Sequence, residues 1–323
     1  MRTLLFISII LVGFTSCEKK EIPVAPHVPG DAIVTQIDMG SDYKDQIWFN
    51  LHDNEIVSRN LKAIWDLSFE STEDGWHVLL NSSKTMAVCF FEGLEINDEI
   101  TIEEAVWTWD THSGSLDSTA IGDWRGNNGV YLLDRGYDHT GTHQGFKKLK
   151  INAVDNLTFS IEYSDLDGSG YNEITLPKNT NLKFTPFSFL EDDQLPVIMP
   201  HKEQWDIVFT QYTYIYYDLE EITPYQVTGV LLNRNNVEAR KMTDVDFEDV
   251  DLEYAAELFL KDRIDEIGYE WKFYNFDEGF YTVLSEQVFI IKDVEGLYYK
   301  LRFTGFYSDS GEKGYPKFEF QKL

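Results

Sequence analysis

Short apolar runs of strand length, separated by polar turn pairs, dominate this chain. Residues 46–51, 63–69, 77–81, 85–91, 130–133 and 147–151 are β-branched or aromatic runs. Residues 157–163, 173–176, 207–217, 227–232, 288–291 and 298–306 continue the pattern. Between them stand turn pairs such as Asp53-Asn54, Asn127-Asn128 and Glu295-Gly296. One stretch has a different period. Leu252, Ala255, Ala256, Phe259, Ile264 and Ile267 fall near helical spacing with acidic residues between them, and Gly268 stands where a helix would stop. The pattern predicts an all-β, mainly antiparallel fold with one acidic helix over about 249–267. A shorter helix is predicted over 102–106.

The pattern also repeats. Phe49, Val57, Trp65, Asp66 and Phe69 recur 140 positions later as Phe189, Val197, Trp205, Asp206 and Phe209. Val130 to Leu133 followed by Phe146 to Ile151 matches Val288 to Ile291 followed by Tyr298 to Phe303. A third block, Tyr163 to Leu176, matches Tyr307 to Phe320. A period near 140 is too long for a solenoid, so the expectation is two tandem β-domains, 35–178 and 179–323.

The N-terminus reads as a targeting segment. A short basic start precedes the apolar run Leu4 to Phe14, too short to span a bilayer. Thr15-Ser16-Cys17 then resembles a bacterial lipobox, which implies a signal peptide over 1–16, cleavage before Cys17 and acylation of that cysteine. More than one acyl chain is needed for stable attachment to outer-membrane lipid. Residues 17–34 read as a proline-containing tether. Within it, Glu18-Lys19-Lys20-Glu21 resembles the charged signal that sends some lipoproteins to the outer face of the outer membrane.

Composition narrows the classes. A formal charge of −29 over 323 residues argues against nucleic acid and against anionic headgroups as partners. A hydrophobic content of 43%, with 15% aromatic, supports a packed core. Cys17 and Cys89 are the two cysteines, so a lipidated Cys17 leaves no intrachain disulfide. Cys89 lies in an apolar run and reads as a buried small hydrophobe.

Trp205-Asp206-Ile207-Val208-Phe209-Thr210, then Val227 to Asn233, Trp271, Val288 to Ile291 and Tyr299 to Phe303 resemble the HmuY family, β-rich hemophore-like lipoproteins of Bacteroidetes. The resemblance covers about 184–323, and 36–178 follows the same template less fully. It implies an all-β fold, a surface or outer-membrane location, and delivery of heme towards a TonB-dependent receptor. Trp65, Asp66, Trp205 and Asp206 read as markers of the fold, because a tryptophan fills core volume and an aspartate bonds to backbone. The resemblance also implies a pair of axial His or Met ligands on two loops. Here the chain departs from it: the stretch after Trp271 offers Asn275 or Phe276, neither a useful iron ligand.

Other residues could hold heme. His112, His139 and His143 share an aromatic-rich stretch with Trp107, Trp109, Trp124 and Tyr137, and a porphyrin needs apolar walls with one or two imidazole or thioether ligands. Solvated loop histidines beside ordinary core aromatics are the plainer alternative. In the second half Met199, His201 and Met242 are the remaining candidates. Asp165, Asp167 and Ser169, with Gly170 at the sixth position, resemble a calcium loop that lacks its twelfth-position acid. A hairpin turn explains the same residues. No catalytic motif is present, so the chain reads as a non-enzyme. Two readings remain: a heme-binding accessory lipoprotein with a non-standard ligand set, or a surface adaptor that has lost heme ligation and binds a protein or glycan.

Overall fold

The computed structural model describes residues 30–190 and 195–323. Cys17, the signal-like segment and most of the tether lie outside the described residues. The first strands in chain order are β1 (Ile33–Gln36), β2 (Asp45–Asn50), β3 (Glu55–Leu61), β4 (Leu67–Glu70) and β5 (Val78–Leu80). They continue with β6 (Ala87–Glu92), β7 (Gly129–Asp134), β8 (Phe146–Val154), β9 (Thr158–Ser164) and β10 (Asn172–Pro177). Next come β11 (Phe184–Phe187), β12 (Ile207–Tyr216), β13 (Thr223–Leu232) and β14 (Glu238–Met242). The last are β15 (Lys272–Asn275), β16 (Phe280–Val283), β17 (Val288–Lys292), β18 (Tyr298–Tyr307) and β19 (Lys313–Lys322). Every strand pair among the described residues is antiparallel. The all-β reading of the alternation is therefore the fold. β19 shows why: Phe318 and Phe320 point into the core while Lys317 and Glu319 point away.

Two five-stranded sheets carry the bulk, in the orders β10-β9-β8-β7-β6 and β1-β19-β18-β17-β14. Two smaller sheets, β11-β4-β5 and β13-β12-β2-β3, complete the cores, and β15-β16 stands as a hairpin. Two large hydrophobic cores result. One contains residues from Leu67 to Phe189; the other joins Ile37 to Leu51 with residues from Ile207 to Phe320.

The cores do not divide the chain at 178/179. β2 pairs with β12 of the C-terminal half, and β11 pairs with β4 of the N-terminal half. β1 likewise pairs with β19. The sequence repeat follows the chain, whereas the cores exchange their flanking strands. The third repeated block is also displaced. The blocks at Val130 and Phe146 match β7 with β17 and β8 with β18, in step with the sheet orders. The block at Tyr163 matches the β9–β10 hairpin with the β18–β19 hairpin, one strand out of step. Two hairpins of one kind of sheet share alternation and turn chemistry, so their sequences align without being equivalent in place.

The acidic helix is much shorter than predicted: α1 spans Leu252–Ala256, capped by Asp251, whose side chain accepts the Tyr254 N–H. Beyond it the backbone groups are taken by neighbouring strands. Lys261 and Ala239 exchange hydrogen bonds, the Leu232 N–H donates to the Ile264 carbonyl, and Gly268 bridges Val230. Pairing with β13 and β14 wins over a lone amphipathic helix. The segment predicted as a helix over 102–106 is a single 3₁₀ turn, Ile102–Glu104. No helix among the described residues is long and apolar enough to cross a membrane.

Candidate functional site

One hydrogen-bond pattern is built twice around the Trp-Asp pairs. Asn81, after β5, donates from Nδ2 to the carbonyls of Lys62 and Trp65 at 2.8 and 2.9 Å. Asn233, after β13, donates to those of Lys202 and Trp205 at 2.8 and 2.7 Å. Asp66 Oδ2 accepts the Phe189 N–H at 2.8 Å, and Asp206 Oδ2 accepts the Leu51 N–H at 2.7 Å. The backbone N–H groups of Asp66 and Asp206 go to the carbonyls of Phe187 and Phe49. Each aspartate thus fastens an exchanged strand to the core that receives it.

Between the cores lies a cavity of about 150 Å³ walled by Trp48, Trp65, Trp205, Tyr212 and Met199, with His112 on its edge. His112 sits on the loop 111–115, which reaches across to the second core. The Ile264 N–H donates to the Ser113 carbonyl at 3.0 Å, and Arg234 Nη1 donates to the Gly114 carbonyl. Gly114 has φ +76°, and a Cβ there would stand 2.7 Å from Ile264 Cγ1. Only glycine lets the loop approach this closely.

The same contact orients His112. Its Nδ1 is 2.9 Å from Asp265 Oδ2, and its ring stacks on Tyr214 at 4.0 Å with an interplanar angle of 8°. Nε2 has no hydrogen-bond partner among the described residues. A carboxylate on one ring nitrogen fixes the tautomer and orientation of an imidazole that ligates a metal through the other. A second cleft of about 870 Å³ adjoins the cavity and shares Lys183, Phe184, Arg234 and Ile264 with it. Small-molecule pockets run to roughly 300–1,000 Å³, so the cavity alone is too small for a tetrapyrrole and the cleft is large enough. The candidate donors line the smaller space: His112, Met199 and the aromatic walls belong to the cavity, whereas the larger cleft is lined mainly by polar and charged residues and meets the cavity at Lys183, Phe184, Arg234 and Ile264.

The three candidate histidines do not converge. His143 lies in its own hairpin, with Nε2 2.8 Å from Asp134 Oδ1 and Nδ1 accepting the Gly145 N–H at 3.2 Å. Both nitrogens are taken. His139 sits in the same hairpin loop and lines neither the cavity nor the adjoining cleft. The aromatic stretch that groups them in sequence is split in space, because Trp124 enters the first core while His112 crosses to the second. Met242 is buried in a side cluster with Phe247 and Val250. Asp265, Lys183 and Arg234 were not visible as site residues; Asp265 lies 153 positions from His112, and no local spacing connects them.

The calcium-like residues form a hairpin turn between β9 and β10. Asp167 Oδ1 accepts the Ser169 N–H and hydroxyl at 2.9 and 2.6 Å, and Asp165 pairs with Lys147 at 2.7 Å. Among the described residues no group of three or more His, Cys, Asp or Glu side chains is placed to hold a metal ion.

The sequence model of the HmuY family, described as HmuY protein, matches residues 42–320. The chain belongs to the HmuY family. Similar solved structures include apo PinO from Porphyromonas gingivitis, at 10% identity and a TM-score of 0.29 over 91% of this chain and 97% of that one. Another is the apo HmuY analog from Tannerella forsythia, at 12% identity and a TM-score of 0.27 over 91% and 98%. None of the curated proteins matches. At those scores the superpositions carry no argument, and family membership rests on the matched residues. Within this HmuY-family chain, the tip of β15–β16 is where the resemblance implied a second ligand. There Asn275 is engaged by Glu278 and Asp277, and Phe276 is 88% exposed.

Proposed function

We propose that this HmuY-family protein is a non-enzymatic surface lipoprotein, anchored through acylated Cys17, that binds heme between its two cores, where the cavity edged by His112 meets the adjoining cleft. His112 serves as an axial ligand, and the bound heme is passed to a TonB-dependent receptor. The supporting observation is the His112–Asp265 pair, which presents a free imidazole nitrogen at the edge of an aromatic-walled cavity that also carries Met199.

The test is a hemin titration of the chain from residue 18 onward, followed by absorbance in both oxidation states. A saturable low-spin spectrum at one heme per chain is expected. His112→Ala should abolish it, while His139→Ala and His143→Ala should leave it intact. A low-spin spectrum that survives His112→Ala would remove His112 from the role.

A second reading is favoured by one observation. The hairpin tips expose Phe273, Phe276 and Phe280 on β15–β16 and Leu219, Ile222 and Tyr225 on and before β13. Exposed apolar side chains at these tips suit an adaptor for a protein or glycan partner. A flat hemin response would select that reading.

A further inference from the structure

The cavity between the cores has room for one ring. Its volume of about 150 Å³ is far above the water-sized gaps of an ordinary interior. An apolar cavity of about that size takes up benzene. Trp48, Trp65 and Trp205 line it, and Val208, Leu231 and Met199 add aliphatic surface. Trp48 and Trp205 meet edge to face, with ring centres 6.4 Å apart and an interplanar angle of 86°. Two rings at right angles make a corner in which a third ring can turn its face to one and its edge to the other. The corner is preformed: Trp48 and Val208 are opposite residues of β2 and β12, and the Trp65 N–H is tied to Gln46 Oε1 at 2.9 Å. A preformed site loses little freedom when it binds.

The polar groups of the wall are largely taken up by the protein itself. Gln46 Nε2 donates to Ser83 Oγ at 2.9 Å, and Ser83 Oγ lies 3.2 Å from Thr210 Oγ1. Asp110 accepts the Ala120 and Leu80 N–H groups at 2.7 and 2.8 Å, and burial pushes its pKa up to about 6. Lys202 donates to the Thr180 carbonyl at 2.9 Å. Lys183 and Arg234 belong to the cleft as well, so they stand where the cavity opens into it. The indole N–H groups of Trp48 and Trp205 have no hydrogen-bond partner among the described residues, and both rings line the cavity. An occupant with one hydrogen-bond acceptor would give such a donor a partner. Water is a poor occupant of a wall that leaves it few of the two to four partners it needs.

We propose that this cavity is a binding site for a small, uncharged, one-ring aromatic molecule with a hydrogen-bond acceptor, which enters through the cleft and is held by ring contacts with the tryptophans. The inference goes beyond the heme reading and does not depend on it, since it needs neither iron nor a free nitrogen on His112. An aliphatic molecule of the same size would fill the space but gain nothing from the corner of Trp48 and Trp205.

The experiment is a calorimetric titration of the chain from residue 18 with phenol and, separately, with cyclohexanol, which matches phenol in size and hydroxyl group but has no aromatic face. Phenol should bind saturably at one site per chain, about tenfold more tightly than cyclohexanol. Val208→Phe and Leu231→Phe each add side-chain volume to the cavity wall and should weaken phenol by about tenfold or more, with melting temperatures like that of the parent showing that they fold. Where either fails to fold, Met199→Phe, on the cavity wall but outside the strands, gives the same readout. Equal affinity for phenol and cyclohexanol would overturn the inference, as would filled variants that bind phenol like the parent chain. A low-spin hemin spectrum without phenol binding would overturn the inference and leave the proposed function standing. Selective phenol binding without that spectrum would do the opposite.

Discussion

Asp66 and Asp206 occupy equivalent places in one hydrogen-bond pattern, but only Asp66 is surrounded by cations. Arg135 meets both oxygens of Asp66 at 3.1 Å, and Lys84 meets one of them. Burial alone would raise the Asp66 pKa; the two cations overcome that and hold it below the ordinary carboxylate range. Asp206 has two backbone N–H donors, Leu51 and Val294, and no cation, and burial pushes it up to about 6. The same frame thus holds a paired anion in one core and a protonatable acid in the other.

The Asp206 pair of states makes stability depend on pH. Its folded pKa lies above its unfolded value, so folding favours the protonated form. Its contribution is full below about 4 and is lost as pH rises through about 6. The shift of about two units corresponds to roughly 2–3 kcal/mol. Urea unfolding at pH 5 and pH 7 should show the parent chain gaining stability on acidification, and Asp206→Asn should flatten that gain. Asp110 acts in the same direction, so some slope persists in the variant. An unchanged slope would show that Asp206 is not protonated in this range.

Asp66→Ala should be far more costly than a surface change. It strands Lys84, which is fully buried, and Arg135 beside it. Breaking a buried ion pair from one side costs about 3–5 kcal/mol. Replacing Asp66 and Lys84 together should recover part of that loss in a denaturant titration, whereas a double-variant loss equal to the sum of the two single losses would mean the pair is uncoupled.

Gly114→Ala tests the loop that joins the cores. The added Cβ would meet Ile264 and Arg234, in a backbone conformation that alanine disfavours. The expected loss is about 1–3 kcal/mol. Amide exchange should rise at Ile264, whose N–H donates to Ser113 in this loop. Protection of Ile264 equal to that of the parent would show that the loop tolerates the side chain.

Asp265→Asn addresses orientation, not ligation. It removes the charge that faces His112 Nδ1 while keeping its shape. Hemin should still bind, with affinity lowered about 10–100-fold and an altered reduction potential. An unchanged potential would mean that Asp265 serves packing alone.

Calcium should be without effect. Asp165 and Asp167 are engaged by Lys147 and by the turn itself, so millimolar calcium should not move the melting temperature. A rise of several degrees would restore the calcium reading of that hairpin.

Much of this was legible along the chain because strand alternation and turn pairs are local signals. The alternation in β8, β18 and β19 and the Trp-Asp pairs could be read directly, and the order of Val130 and Phe146 against Val288 and Tyr298 matched the sheets. The site was less legible. His112 was visible as a residue type, but its sequence neighbours His139 and His143 pointed to the wrong companions. Phe259, placed on the apolar face of a long helix by its spacing, is largely exposed.

The sequence by itself determined the β class, the family and the residues that alternate into the two cores, because side-chain period and turn chemistry act over a few residues. Only the tertiary structure decided that β2 and β11 change places between the cores, that residues 261–268 pair with strands instead of coiling, and that Asp265 and Arg234 meet the loop of His112. Those outcomes depend on which groups find partners tens of residues to more than a hundred residues away along the chain. Hydrogen-bond completion across the cores settles that competition, and no local pattern encodes it.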